Sequence, residues 1–176
     1  MKFLKNLFRC LVLIGNGLFL TSCAVKNPPT TVDNVNLNKY MGKWYEIASF
    51  PNSFQKNCKC TNATYELVGN KVKVVNKCRR KSVSAKWDVA TGHAKVVPNT
   101  GNSKLKVTFF WPFYGDYWIL YLTKNYSEVL VGNPSRKYLW ILSREKSISK
   151  KDYDFLVNIA KEKGFDVSKL KKTTQC

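Results

Sequence analysis

The stretch Tyr40-Met41-Gly42-Lys43-Trp44-Tyr45-Glu46-Ile47-Ala48-Ser49-Phe50, closed by Pro51-Asn52, decides how the chain is read. From Trp44 to Phe50 the side chains alternate, with Trp44, Ala48 and Phe50 on one face and Glu46 between them. A period of two is that of a strand with one buried face. Proline cannot donate to a ladder and Asn favours a turn, so the strand ends at Pro51-Asn52.

Downstream the same period recurs, broken by turn residues at regular spacing. Strands are expected over 61–68 and 72–78, joined by the tight turn Gly69-Asn70. A weaker one holds Trp87 and 94–97, and the turn 99–102 leads into 105–110. The last three cover 117–123, 128–131 and 138–143. Eight strands at this spacing fit a closed meander or a sandwich. One helix follows. Ser149 is its N-cap, Asp152 completes a capping-box-like pair, and Ile148 can staple to Tyr153. Tyr153, Leu156, Val157 and Ala160 form one apolar stripe, and Gly164 supplies the left-handed residue that ends the helix before Phe165.

Upstream, Lys2, Lys5 and Arg9 precede the apolar run Leu11 to Leu20, which is too short and too interrupted by Gly for a membrane span. Residues 1–22 therefore read as a secretory signal peptide. Leu20-Thr21-Ser22-Cys23 resembles the bacterial lipobox, in which cleavage before the cysteine accompanies acylation of its thiol. Each buried methylene contributes about 0.8 kcal/mol and stable anchoring takes two or more chains, which a triacylated Cys23 would supply. Ala24 follows where an Asp would favour the inner membrane, so the expected location is the outer membrane, lipid-anchored, after Sec export. Residues 23–36 then read as a lipidated polar tether and residues 37–176 as one folded domain.

The net charge is +19. Its lysines are spread along alternating strands, as in Lys71-Val72-Lys73-Val74, and form no tract. That pattern belongs to solvated faces, argues against a nucleic-acid partner and leaves a weak attraction to anionic headgroups. Aromatic residues at 14% speak for a packed core.

Four ordered segments resemble the lipocalin family, and within it the bacterial outer-membrane lipoproteins close to apolipoprotein D. They are the G-x-W-Y-E-I-A run Gly42 to Ala48, the run Lys104 to Tyr117, Tyr138-Leu139-Trp140-Ile141-Leu142-Ser143-Arg144, and Gly164-Phe165-Asp166-Val167-Ser168. The family's middle T-D-Y motif is degraded here to Thr123-Lys124-Asn125-Tyr126, which puts the shape of that loop in question. The resemblance implies an all-β fold: an eight-stranded antiparallel up-and-down barrel with one C-terminal α-helix packed on its outside. It implies that Trp44 closes a structural floor, with Arg144 across the indole as a cation–π pair and backbone carbonyls taking its donors. A barrel of this size has room for one small apolar ligand, with a fatty acid or lysophospholipid as the expected partner.

With Trp44 and Arg144 inward, alternation turns Glu46, Ala48 and Phe50 inward, and likewise Leu142, Trp140 and Tyr138. The other inward sets are Ala63, Tyr65 and Leu67; Val72 and Val74; Ala94 and Val96; Leu105, Val107 and Phe109; Val129 and Val131. The strand 117–123 is apolar on both faces, so periodicity cannot choose. The resemblance favours Tyr117, Ile119 and Tyr121 inward and leaves Trp118, Leu120 and Leu122 under the helix, with any uncovered remainder a face for a homodimer or a membrane. Expected ligand contacts are Tyr65, Val74, Ala94, Val107, Phe109, Tyr117, Ile119, Tyr138 and Trp140. Their aromatic rings suit an acyl chain, and their OH and NH groups suit a polar head. Glu46 reads as a buried acid held by structural hydrogen bonds, and His93 as a surface residue.

Cys10 falls in the leader, leaving Cys58, Cys60, Cys78 and Cys176 besides the lipobox cysteine. An even number in an oxidising compartment points to two disulfides among three connectivities. Counting from the Gly69-Asn70 turn puts Cys78 nearly opposite Cys60, with Cys58 within one pleat, so the residues alone leave the pairing open. The resemblance implies Cys60 with Cys176 and Cys58 with Cys78; the swapped pairing is the rival. A Cys-x-Cys metal site is disfavoured, no cofactor is implied, and no Ser-His-Asp or paired-carboxylate pattern points to hydrolysis. The expected function is carriage or storage of an apolar ligand without catalysis. The alternatives are an enzyme of the same fold using Cys60 as nucleophile, and a structural lipoprotein whose barrel is plugged by its own side chains.

Overall fold

The computed structural model describes residues 26–176, so the expected signal peptide and Cys23 lie outside the described residues. A short helix α1 (Leu37–Tyr40) is capped by the Asn36 side chain. It is followed by β1 (Gly42–Ser49), β2 (Cys58–Val68), β3 (Lys71–Arg80), β4 (Trp87–Val96), β5 (Lys104–Phe110), β6 (Phe113–Leu122), β7 (Glu128–Gly132) and β8 (Leu139–Ser143). Then come helix α2 (Lys150–Glu162), a 3-10 turn (Val167–Lys169) and the two-residue β9 (Lys171–Lys172). Successive strands pair antiparallel, and β1 pairs with both β2 and β8. The result is a closed eight-stranded up-and-down barrel with one C-terminal helix outside. β6 starts four residues before the expected Tyr117, because Phe110 and Phe113 pair across a tight hairpin around Trp111-Pro112.

Helix α2 ends in a Schellman arrangement. Gly164 takes φ +80°, and Phe165 N–H donates to the carbonyl of Ala160. At its start the Ser149 hydroxyl accepts from the Asp152 N–H and donates to the Asp152 carboxylate.

Apolar side chains divide into two cores. One fills the lower barrel around Trp44, Ile119, Val129 and Val131; the other lies between barrel and helix, where Leu120, Leu130 and Ile141 meet Leu156, Ala160 and Phe165. Two β-bulges assign residues between them. The ladder to β8 slips between Glu46 and Ala48, and the ladder from β6 to β7 slips between Ile119 and Tyr121. An extra residue reverses the alternation that follows it. Ala48 and Phe50, expected inside, therefore belong to the outer core, and so does Tyr121, which meets Phe155 edge-on at 5.4 Å. For the same reason Leu122, expected outside, packs against the inner core. Leu67, also expected inside, is exposed, because it lies beyond the last β1–β2 pair, Gly42 with Tyr65.

Both ends of the described residues are built into the barrel wall. Part of the stretch read as a free tether is laid down on the barrel: Pro29 and Val35 are buried, Val32 N–H donates to Ile119 O (3.0 Å), and Val35 N–H donates to Gly101 O (2.8 Å). β6 runs past the start of β5 here, and the carbonyl it leaves open needs a donor. At the other end, β1 pairs with β2 only as far as Tyr45 with Asn62. The C-terminal tail fills the gap above, with Thr173 N–H on Ile47 O, Cys60 N–H on Thr174 O, and the Gln175 side chain on the carbonyls of Glu46 and Thr61. Cys60 is bonded to Cys176 and Cys58 to Cys78.

Candidate functional site

The site is built upward from its floor. Trp44 is fully buried and its indole N–H donates to Tyr40 O at 2.9 Å. The Arg144 guanidinium lies 3.8 Å from the indole ring centre and donates to the carbonyls of Lys39, Tyr40, Lys43 and Tyr126. Gly42 stands at φ +94°, where a Cβ would come within 3.3 Å of Arg144 Nη1, so both backbone and space call for glycine. On this floor three tyrosines join hydroxyls: Tyr40 with Tyr117 at 2.7 Å, and Tyr65 with Tyr117 at 3.1 Å. Burial pushes all three phenols well above their ordinary range, so they remain neutral donors and acceptors.

Above the tyrosines the barrel encloses a cavity of about 690 Å³. That lies within the range of small-molecule sites. Tyr65, Val74, Ala94, Val107, Phe109, Tyr117, Tyr138 and Trp140 line it. Ile119, also expected there, does not; it is fully buried in the inner core just before the β6 bulge.

Of the expected headgroup contacts, Trp140, Tyr65 and Tyr117 already have partners within the protein, while the Tyr138 hydroxyl has none among the described residues. Trp140 Nε1 donates to Gln55 Oε1 at 2.9 Å, and the Tyr65 and Tyr117 hydroxyls bond within the triad. Gln55 also donates to Glu46 Oε2 at 2.7 Å. Ser49 and Thr173 donate to the other oxygen of that carboxylate, so Glu46 is held wholly by the protein. Burial raises its pKa, and the bonds from Thr173, Gln55 and Ser49 oppose the rise without cancelling it. The stretch of wall formed by Val72, Val74, Ala94, Leu105 and Val107 is apolar, suited to a hydrocarbon chain. Charged lining groups, Lys77, Arg80, Asp88 and Asp116, sit toward the open end.

Sequence reasoning missed Phe54 and Gln55, which come from the loop between β1 and β2 and fold over the mouth. The Phe54 ring lies 5.7 Å from Tyr138 and 6.4 Å from Trp140. A large apolar residue in an otherwise polar loop was the available signal. His93 lies in β4, half-buried, with its ring 6.4 Å from Tyr114. Cys60, the nucleophile of the enzyme alternative, has its sulfur in the bond to Cys176 and is not among the lining residues. Among the described residues, no group of three or more His, Cys, Asp or Glu side chains is gathered as a metal site.

The model of the lipocalin-like domain family matches residues 35–175. Temperature-induced lipocalin-1 of Arabidopsis thaliana is 42% identical over 159 residues, covering 85% of this chain and 84% of the plant protein. Outer membrane lipoprotein Blc of Escherichia coli K12 is 37% identical over 164 residues, 90% of this chain and 92% of that protein. Apolipoprotein D of Macaca fascicularis is 36% identical over 84% of this chain and 80% of its own. Among solved structures, insecticyanin of the tobacco hornworm Manduca sexta superposes with a TM-score of 0.69 at 23% identity, covering 86% of this chain and 85% of that one.

Proposed function

The chain belongs to the lipocalin family, and from that premise we propose that it is a membrane-anchored carrier that stores or transports a fatty acid or lysophospholipid in its barrel. The observation that carries this reading is the 690 Å³ cavity above a closed floor, lined mainly by apolar and aromatic side chains. Such a wall offers a hydrocarbon tail a largely apolar surface. The tail therefore lies toward the tyrosine floor and the head toward the mouth, where the charged lining groups Lys77, Arg80, Asp88 and Asp116 sit.

Anchorage rests on the lipobox-like Leu20-Thr21-Ser22-Cys23, and the name of the Escherichia coli relative, an outer membrane lipoprotein, supports the same location. The reading is non-catalytic. A thiol mechanism at Cys60 would require the bond to Cys176 to be broken first.

Mass spectrometry of lipids retained after gentle purification tests the ligand class. Stoichiometric fatty acid or lysophospholipid supports it, and retention of polar molecules alone contradicts it. Metabolic labelling with palmitate, lost in Cys23→Ser, tests the anchor.

A further inference from the structure

The hairpin loops at the two ends of the barrel differ in charge. Hairpin loops at the open end, residues 50–57, 81–86, 111–112 and 133–138, carry Lys56, Lys81, Lys86, Arg136 and Lys137 and no Asp or Glu. Those at the closed end, residues 69–70, 97–103 and 123–127, carry Lys124 alone.

The β5–β6 hairpin also overtops the rim beside it. β6 pairs with β7 no higher than Trp118 with Gly132, yet continues to Phe113 against β5. At about 3.3 Å per residue, this is roughly 16 Å of strand beyond its neighbour. Its tip is aromatic and uncovered: Phe110 is 75% exposed, Trp111 75% and Phe113 71%. The apolar surface is continuous inward, since Phe113 and Phe109 also line the cavity.

The N-terminal strap climbs the outside of the barrel toward this same end. Val32 is bonded to Ile119, Thr30 Oγ1 accepts from Lys163 Nζ at 2.8 Å beside the end of α2, and the Asn27 carbonyl accepts from Arg136 Nη2 at 3.0 Å. Arg136 belongs to an open-end loop. Cys23 is four residues before Asn27, and four residues span at most about 14 Å.

We infer that the mouth of the barrel faces an anionic lipid bilayer, with the Phe110–Phe113 tip in the boundary between headgroups and acyl chains. The five basic loop residues match negative headgroups, and Trp and Phe suit the depth at which one side of a ring is apolar and the other wet. A ligand then passes between bilayer and cavity along Phe113 and Phe109 without crossing bulk water. The strap's part in this orientation rests on the proposed lipidation of Cys23; the tip and the charge asymmetry do not.

The test uses the full lipidated chain in phosphatidylcholine–phosphatidylglycerol vesicles with brominated acyl chains, reading vesicle flotation and tryptophan quenching together. The expected result is quenching that Trp111→Phe reduces while flotation is unchanged, and that weakens on pure phosphatidylcholine. Flotation without quenching, or quenching equal in wild type and Trp111→Phe, overturns the orientation and leaves the anchor standing. Equal quenching on neutral vesicles overturns the choice of an anionic surface. Cys23→Ser that floats as well as wild type sinks the anchor instead, while Trp111-dependent quenching in that variant still supports the tip. A dimer in lipid-free buffer that Trp111→Ser dissociates, with no quenching on vesicles, would assign the tip to a second copy and overturn the proposal.

Discussion

Arg144 lies over Trp44, its guanidinium 3.8 Å from the indole ring centre, while its N–H groups close the barrel floor onto four carbonyls. Lysine offers a point charge without the planar fork. Arg144→Lys is therefore expected to cost about 2–3 kcal/mol of stability, since hydrogen bonds to charged groups contribute about 1.5–3 kcal/mol and several carbonyls lose their donor. Urea denaturation measures it. The ligand cavity lies above the tyrosine triad, so ligand affinity measured on the folded fraction should change little.

The Cys60–Cys176 bond spans 116 residues and holds the tail that bridges β1 and β2. Cys176→Ser is expected to cost about 2–4 kcal/mol, mainly because the unfolded chain regains the freedom of a long loop. Hydrogen exchange should show the amides of Cys60 and Thr173 losing protection first. Unchanged protection there would mean that the tail is held without the bond.

Glu46 gives stability a pH dependence of definite sign. Its folded pKa is raised by burial above the unfolded value. Below the unfolded pKa the carboxyl is protonated in both states and its contribution is fully present. As pH rises through the raised folded pKa, the folded state must carry a buried charge that the unfolded chain carries in water, and that stability is lost. Wild type should lose more stability than Glu46→Gln between pH 4 and pH 7, as read from urea midpoints. Parallel curves would contradict the assignment.

Much of this architecture was legible in the sequence, because alternation, turn residues and helix caps are local signals. The caps at Ser149 and Gly164 and the inward faces of β3, β4 and β5 follow from residue order alone. The bulges after Glu46 and Ile119 were not legible. Nothing in Ile47-Ala48 or Leu120-Tyr121 marks an extra residue, since adjacent apolar residues at each slip fit either face. Alternation carried past the first point misplaced Ala48 and Phe50, and the inward face that the resemblance favoured for 117–121 misplaced Tyr121 beyond the second. Docking of the strap and tail was hidden for a different reason. It depends on backbone groups left open where one strand outruns its neighbour, which is a property of register.

The account depends on an enclosed apolar hollow that accepts a hydrocarbon chain. The most direct measurement is titration of the purified protein with a fluorescent fatty acid, with Ala94→Trp and Val107→Trp as obstructed variants and near-ultraviolet circular dichroism to confirm that each is folded. Both residues line the cavity, and an indole at either position fills the space a chain would occupy. Saturation at one probe per chain, with affinity at least about tenfold weaker in a folded variant, is the predicted result; a tenfold loss is about 1.4 kcal/mol, well within what a blocked apolar site costs. Binding that never saturates, or that is equally tight in both folded variants, would contradict it.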